Sequence, residues 1–322
     1  MRFALLGTAA GLALLVLSGA FAQQPGRRAV AITVDDLPYA PGHPFSSDLS
    51  GEVAAARAVN RRLLAAFRDR KVPVTGFVIG ERAQSLGPAG VEILTRWTHD
   101  GFDLGNHTWS HPDMNDLSIA QIEGEIMRGD AVIRPLMEGA GRKVAFFRFP
   151  MNETGNTKPK HDAIAEFLPS RGYASAPCTI DTSDYIFNAA YVEMLARKDV
   201  ASARKLRGEY IAYSDSEIDY YARLNTQVLG YEPPEVMLLH DNRLNADVIG
   251  DLLKLFETKH YRFISLAASQ SDAAYRAPST YITKYGWMWG YRWAKERGIT
   301  VDGSLEPDPP KWIAEYDKPA KR

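Results

Sequence analysis

The chain has 322 residues, of which 45 % are hydrophobic and 24 % are charged. This length and composition are those of a globular protein with one large core or two smaller ones. The formal net charge of −1 gives no electrostatic reason to expect nucleic acid or an anionic membrane surface as a partner.

The N-terminus has the pattern of a secretory signal peptide. Arg2 is followed by an apolar run that ends at A-F-A, residues 20–22, a small-residue cleavage pattern. The alternative is a transmembrane anchor, for which the apolar run is short. We therefore expect residues 1–22 to be removed, the rest to be exported to the periplasm or the medium, and no stable membrane anchor to remain.

Cysteine usage excludes a disulfide framework. Cys178 is the only cysteine, so no disulfide can form within the chain. It lies in the apolar run YASAPCTI, which favours a buried small hydrophobic residue over a nucleophile. The stability of the chain must therefore come from its core.

Short β-rich runs alternate with longer helical patterns. The predicted strands are nearly continuous apolar runs, typical of strands buried on both faces, at 29–34, 72–79, 101–107, 144–149, 173–180, 235–240 and 261–266. Helices are predicted over 51–70 and 119–137, with two more within 189–230. Seven strands separated by helices predict a parallel α/β architecture, either a closed or nearly closed barrel or an open doubly wound sheet.

Two of these helices carry specific signals. In 51–70 the apolar residues on one face are Ala56, Val59, Leu63 and Phe67. Ser118 and Gln121 form a capping-box pattern that starts the helix over 119–137.

The C-terminal part of the chain differs in composition. After about residue 270 it is rich in proline and aromatic residues, and alternating aromatics occupy Tyr285, Trp287, Trp289, Tyr291 and Trp293. We expect one domain over 23–268 and a C-terminal extension, 269–322, packed on it. The alternative for the aromatics is a surface that stacks on sugars.

Ionisable side chains gather where the predicted strands end. They are Asp35 and Asp36, His107 and His111, Arg148, Asp181 and Asp184, and His240. The carboxyl ends of barrel strands are where α/β barrels display their active groups, so this clustering predicts an active site.

His107 and His111 are candidate metal ligands. They are four residues apart, but Pro112 disfavours a helical conformation at His111, so we expect them on a loop. Two imidazoles and one carboxylate, from Asp36 or Asp35, would make a three-ligand site with open positions, as in catalytic metal centres. The alternative is a pair of surface histidines next to a turn.

The remaining residues suggest acid–base chemistry. Adjacent aspartates start on opposite sides of a strand, so one can bind a metal while the other stays free near Arg148 and acts as a base. His240, if paired with a carboxylate such as Asp184, would be protonated and could act as a general acid. The alternatives are a turn or cap for the aspartates and a hydrogen-bonded core residue for His240.

In this order, the residues resemble the five motifs of the polysaccharide deacetylases, carbohydrate esterase family four, over about 28–268. The matching segments are TVDD (33–36), HTWSH (107–111), FRFP (147–150), DTSDY (181–185) and LLH (238–240). Each motif is short, but the ordered set of five is specific.

The resemblance implies a distorted (β/α)7 barrel and a divalent metal, commonly zinc, with cobalt or nickel as alternatives. It implies hydrolysis of N-acetyl groups on amino-sugar glycans; an O-acetyl esterase or a non-catalytic carbohydrate-binding protein are the alternatives. The roles it implies are Asp35 as base, Asp36, His107 and His111 as metal ligands, Arg148 as orienting residue, Asp184 as partner of the general acid His240, and Leu238 and Tyr185 as substrate contacts.

The third motif departs from the family pattern. The family continues after the proline with an aromatic residue and a glycine, whereas this chain has Met151, Asn152 and Glu153. The backbone N–H of Met151 can still donate to an oxyanion, so the departure affects the substrate subsite more than the reaction.

Overall fold

The computed structural model describes residues 28–43, 49–277 and 279–316, so the predicted signal peptide, residues 1–22, lies outside the described residues. The described strands are β1 (Ala29–Leu37), β2 (Val74–Val78), β3 (Asp103–Asn106), β4 (Phe146–Phe147), β5 (Ala174–Ser175), β6 (Ile180–Asp181), β7 (Glu235–His240) and β8 (Arg262–Phe263). The described α-helices are α1 (Leu49–Asp69), α2 (Gly80–Ser85), α3 (Pro88–His99), α4 (Ile119–Gly139), α5 (Lys158–Ser170), α6 (Asp184–Ala196), α7 (Val200–Leu229), α8 (Arg243–Thr258), α9 (Leu266–Gln270), α10 (Ala273–Arg276), α11 (Trp289–Glu296) and α12 (Lys311–Tyr316).

Seven parallel strands form one curled sheet. Their order is β5-β4-β3-β2-β1-β7-β6, and β8 pairs with the start of β1. β5 and β6 follow each other in the chain, yet they lie at the two ends of this order. The sheet is therefore a half-barrel that opens between them, and the predicted distorted (β/α)7 barrel is confirmed in this form.

One predicted strand is wrong. The run over 173–180 divides into β5, which pairs with β4, and β6, which pairs with β7. Pro177 lies between the two pieces and has no N–H to donate to a ladder. The segment thus crosses the open side of the half-barrel, which explains eight strands where seven were expected.

The central strand β1 positions the site. All nine of its residues are buried, and it pairs with β2 on one side and β7 on the other. The register places Asp35 opposite His240 on β7. Two of the predicted site residues are therefore neighbours across one ladder, although they are 205 positions apart in the sequence.

The helix signals agree with the structure. Ala56, Val59, Leu63 and Phe67 are at most 1 % exposed on α1. The capping box at the start of α4 is complete, and the predicted pair within 189–230 corresponds to α6 and α7. Among the described residues, no helix has both the length and the apolar character that crossing a membrane requires.

The alternating aromatics of the C-terminal segment divide between two environments. Trp289 and Trp293 are buried in the main core, and the Trp289 N–H donates to the carbonyl of buried Cys178 at 3.1 Å. Tyr285 is 54 % exposed. The segment is packed on the half-barrel through some of its rings while others face solvent.

Phe67→Ala should lower the free energy of unfolding by about 3–5 kcal/mol, because it leaves a cavity in a close-packed core. Phe67 is fully buried, with its ring centroid 6.3 Å from that of Trp97 and 6.1 Å from that of Phe102. Urea unfolding measures the change. Val91→Ala, at a side chain that is 51 % exposed, is the control and should stay within about 0.5 kcal/mol. Equal effects of the two would contradict the assigned core.

Candidate active site

A cleft of about 610 Å³ lies at the carboxyl ends of the strands. Eight of the ten predicted site residues line it: Asp35, Asp36, His107, His111, Met151, Tyr185, Leu238 and His240. The other two, Arg148 and Asp184, lie behind these side chains and are each 1 % exposed. The fold therefore brings the whole predicted set to one place.

The two histidines lie on a non-helical loop after β3, as predicted. Asn106 shapes this loop, because its Oδ1 accepts from the Thr108 N–H at 2.8 Å while its Nδ2 donates to the Ile126 carbonyl at 2.8 Å. Thr108 has a left-handed backbone with φ of 70°, and its Oγ1 accepts from the His111 N–H at 3.0 Å. These bonds turn the two imidazoles into the cleft together.

A bulge brings both aspartates into the same cleft. The register between β1 and β2 shifts between Val34 and Leu37, and Asp36 has a left-handed φ of 67°. Regular strand geometry would have put the two carboxylates on opposite faces. That expectation of opposite sides does not hold at the bulge, where Asp35 Oδ2 and Asp36 Oδ1 lie 3.7 and 3.6 Å from His107 Nε2.

Asp36, His107 and His111 form a cluster of acceptor atoms. Asp36 Oδ1 lies 3.6 Å from His107 Nε2 and 3.8 Å from His111 Nε2. His107 Nδ1 lies 2.8 Å from the Arg148 carbonyl, which can only accept, so Nδ1 carries the proton and Nε2 presents a lone pair. Asp36 Oδ1 is buried without a hydrogen-bond partner among the described residues. A divalent cation fits this donor set, because it would satisfy an orphaned carboxylate oxygen and two imidazole nitrogens at once.

The surroundings of the cluster keep its carboxylate ionised and its imidazoles neutral, which are the forms that bind a metal. Burial would raise the pKa of Asp36, but Arg82 and the nearby histidines outweigh it and hold the pKa far below its usual value. Burial lowers the pKa of His107 well below its ordinary value and also lowers that of His111. The cluster is thus a carboxylate with two neutral imidazoles.

Arg82 was missed by the sequence analysis. Its Nη1 lies 2.8 Å from Asp36 Oδ2, so it neutralises the oxygen that points away from the histidines. It lies on α2, directly after β2. Its position just beyond the predicted strand 72–79 was the signal that could have found it.

Asp35 is held by a buried arginine. Arg148 Nη1 donates to both carboxylate oxygens of Asp35, at 3.2 and 3.3 Å, and Nη2 donates to Thr33 Oγ1 at 3.1 Å. The guanidinium also lies 4.4 Å from the centroid of the Phe77 ring. Burial raises the pKa of Asp35 to about 6, although Arg148 opposes the shift. The carboxylate is therefore fixed in direction and more basic than an exposed aspartate.

His240 and Asp184 form a further ion pair of the cleft. His240 Nδ1 lies 2.6 Å from Asp184 Oδ1, and the His240 backbone N–H donates to Asp184 Oδ2 at 2.8 Å. Asn242 and Asn245, which the sequence analysis did not consider, also donate to Oδ2. Burial would lower the pKa of His240, but Asp184 outweighs it and raises the pKa to about 10. Because Nδ1 is bonded to Asp184, Nε2 is the ring nitrogen that remains to donate a proton in the cleft that His240 lines.

Three predicted substrate contacts line the cleft. Leu238 is 7 % exposed, whereas Met151 and Tyr185 are 47 % and 55 % exposed. Met151 has a left-handed φ of 52°, and the Tyr185 ring centroid is 6.0 Å from that of His240. The cleft thus has an apolar floor and exposed apolar side chains near its mouth.

The ends of the strands in this half-barrel carry an Asp-His-His cluster, a free carboxylate and an imidazolium. These are the groups that a metal-assisted hydrolase requires. Comparison with known proteins points to one family. The model of the polysaccharide deacetylase family matches residues 22–167, somewhat less than half of the chain. This part of the chain is thus similar to the polysaccharide deacetylases, carbohydrate esterase family four.

Individual relatives are distant. An uncharacterized 30.6 kDa protein of Geobacillus stearothermophilus is 23 % identical over 221 residues, 68 % of this chain and 69 % of that protein. The chitooligosaccharide deacetylase of Bradyrhizobium sp. (strain ANU 289) is 28 % identical over 109 residues, 34 % of this chain and 40 % of that enzyme. The matched part thus spans less than half of the rhizobial enzyme.

Among solved structures, a mutant of a Bacillus anthracis CE4 family pseudoenzyme with restored enzymatic activity has a TM-score of 0.50 and 16 % identity. The superposition covers 76 % of this chain and 68 % of that one. At this identity the likeness shows the fold alone, which is the carbohydrate esterase family four fold.

His107→Ala should weaken zinc binding by more than about 100-fold, since loss of a ligand costs more than the 10–100-fold typical of its outer partners. Asp35→Asn should retain one zinc per chain, because Asp35 is held by Arg148 and is outside the three-residue cluster. Calorimetric titration and metal analysis after dialysis measure both. Undiminished zinc affinity in His107→Ala would contradict the assigned ligand.

Proposed function

We propose that the protein is a metal-dependent deacetylase that hydrolyses acetyl groups on N-acetylated amino-sugar glycans of the chitooligosaccharide or peptidoglycan type. The observation that carries the proposal is the presence of three different groups in one cleft: the acceptor cluster, the Arg148-held carboxylate and the His240–Asp184 pair. The similarity to the deacetylase family and the likeness to a chitooligosaccharide deacetylase support the substrate class. The predicted signal peptide supports action in the periplasm or the medium.

Asp36, His107 and His111 would hold the metal, with zinc proposed first and cobalt or nickel as alternatives. When bound there, a divalent cation supplies Lewis acidity to the acetyl carbonyl and makes a neighbouring water more acidic. The protein groups around the metal then have separate tasks. Their charges indicate which group accepts a proton and which group donates one.

Asp35 acts as the general base. Its carboxylate accepts a proton from the water that attacks the acetyl carbon, and Arg148, which donates to both oxygens, fixes the orientation of that carboxylate. The pKa of about 6 leaves Asp35 ionised at neutral pH while making it a better proton acceptor than an exposed aspartate.

His240 acts as the general acid. The carbon–nitrogen bond breaks as the Nε2 proton of the imidazolium passes to the departing amine, giving acetate and a free amino sugar. An amine leaves poorly without that proton, so His240 is more necessary for an amide than for an ester. Asp184 and its amide partners keep the ring in position and charged.

The remaining cleft residues bind the substrate. We assign to the Met151 N–H a hydrogen bond to the developing oxyanion, a contact that is typically worth about 3–4 kcal/mol of barrier. Leu238 contacts the acetyl methyl group, and Tyr185 contacts the sugar ring.

Asp35→Asn should lower the rate of acetate release from chitooligosaccharide by about 10²–10⁴-fold without loss of the metal, because it removes the base alone. Asp103→Asn is the matched control. Its carboxylate is half-exposed and pairs with Arg142, so that variant should keep full activity. A fully active Asp35→Asn enzyme would refute the assigned base.

The substrate class is tested by comparing acetate release from N-acetylated chitooligosaccharide and from O-acetylated xylan. Faster release from the xylan would support an O-acetyl esterase instead. Glycan binding without acetate release from either substrate, in zinc-loaded protein, would support a non-catalytic carbohydrate-binding protein.

The pH profile tests the His240–Asp184 pair. A raised pKa means that the imidazolium is fully present at neutral pH and is lost only as pH rises through about 10, so kcat should decline on that alkaline limb. Asp184→Asn removes the charge that raises the pKa and should move the limb to lower pH. If the alkaline limb of kcat lies at the same pH in Asp184→Asn as in the unmodified protein, the assignment of Asp184 as the group that keeps His240 protonated is contradicted.

A further inference from the structure

The C-terminal segment 281–292 reaches the cleft at Gly286. Gly286 lines the cleft together with Met151. A Cβ atom on Gly286 would lie 1.6 Å from the Met151 carbonyl oxygen, so only glycine allows this approach. The segment is therefore in direct backbone contact with the loop in which this chain departs from the family pattern.

Arg292 links segment 281–292 to the loop that follows Pro150 by hydrogen bonds. It is fully buried, and its Nη2 and Nη1 donate to the Asn152 carbonyl at 2.8 Å and to Thr154 Oγ1 at 3.1 Å. On the other side it donates to the carbonyls of Trp287 at 3.1 Å and Tyr285 at 3.3 Å. A buried guanidinium that satisfies its donors with carbonyls from two segments fixes their relative position.

Segment 281–292 carries a row of aromatic rings. Trp287 is stacked with Tyr281, with centroids 5.6 Å apart and planes at 23°. Trp287 is also parallel to Tyr285, with centroids 6.2 Å apart and planes at 6°. The Lys284 ammonium lies 5.1 Å from the Tyr285 ring centroid, in a contact that a ligand could replace. The rings are therefore pre-aligned, which reduces the entropy lost when a ligand stacks on the outermost one.

Exposed apolar side chains concentrate at this cleft. Within the described part of the chain, seven large apolar side chains are more than a third exposed. Three of them belong to the cleft or adjoin it: Met151 and Tyr185 line it, and Tyr285 precedes the lining residue Gly286. Exposed apolar groups collected around a concave site are typical of a ligand-binding surface.

We infer that segment 281–292 is a glycan subsite in which Tyr285, backed by Trp287, stacks on the apolar face of a pyranose ring next to the acetylated one. This inference rests on the proposed function for the glycan class. It makes the substrate an oligosaccharide, because a single sugar held at the acceptor cluster would leave Tyr285 unused. It also gives the chain a sugar contact in place of the aromatic residue that the third motif lacks.

The test is the binding of chitotetraose and of N-acetylglucosamine to metal-free protein, measured by isothermal titration calorimetry. Tyr285→Ala should raise the Kd for chitotetraose about tenfold, as expected for the loss of one stacking contact. The same variant should leave the Kd for N-acetylglucosamine unchanged, and Tyr285→Phe should bind both like the unmodified protein. Leu305→Ala, which removes a side chain that is 69 % exposed and lies outside segment 281–292, is the matched control and should change neither Kd.

Equal affinity of the unmodified protein and Tyr285→Ala for chitotetraose, or no binding of chitotetraose by the unmodified protein, would overturn the subsite. A similar loss in Leu305→Ala would also overturn it. Acetate release by zinc-loaded protein is scored separately: a chain that binds through Tyr285 but releases no acetate keeps the subsite and loses the proposed reaction.

Discussion

Three potential metal-ligand atoms that face one another define this site, and one of them, Asp36 Oδ1, is buried without a hydrogen-bond partner in the part of the chain that the structure describes. Asp36 Oδ1 and the Nε2 atoms of His107 and His111 lie within 4.8 Å of one another. A buried acceptor without a partner costs about 1–3 kcal/mol, so the arrangement is unfavourable unless a cation joins it. Neighbouring groups hold Asp36 and His107 in this arrangement. Arg82 binds the other Asp36 oxygen, and the Arg148 carbonyl accepts from His107 Nδ1.

Two of the ion pairs at this cleft put a carboxylate to opposite uses. In one, buried Arg148 holds Asp35 as the group that faces the cleft, and the carboxylate remains free to accept a proton. In the other, Asp184 is the buried partner, and the imidazolium of His240 faces the cleft as a donor. Since Asp35 and His240 are opposite each other in the β1–β7 register, the proposed base and the proposed acid flank the same space.

The sequence allowed much of this site to be predicted, because parallel strands end at one edge and ionisable residues followed several of them. Other features depended on local backbone geometry or on contacts distant in sequence. The bulge at Asp36, which turns both aspartates into one cleft, follows no pattern in TVDD. The division of strand 173–180 at Pro177 depends on which neighbours each half pairs with. The contact of Arg292 with the Asn152 carbonyl spans 140 residues, beyond the reach of any local motif.

The most direct test of this account is a crystal structure of the zinc-loaded protein with anomalous diffraction data collected at the zinc absorption edge. The account predicts one strong anomalous peak among Asp36 Oδ1, His107 Nε2 and His111 Nε2, with Asp35 outside bonding distance and still held by Arg148. A zinc-loaded crystal with no peak at this position, or with its peak at other residues, would contradict the central claim.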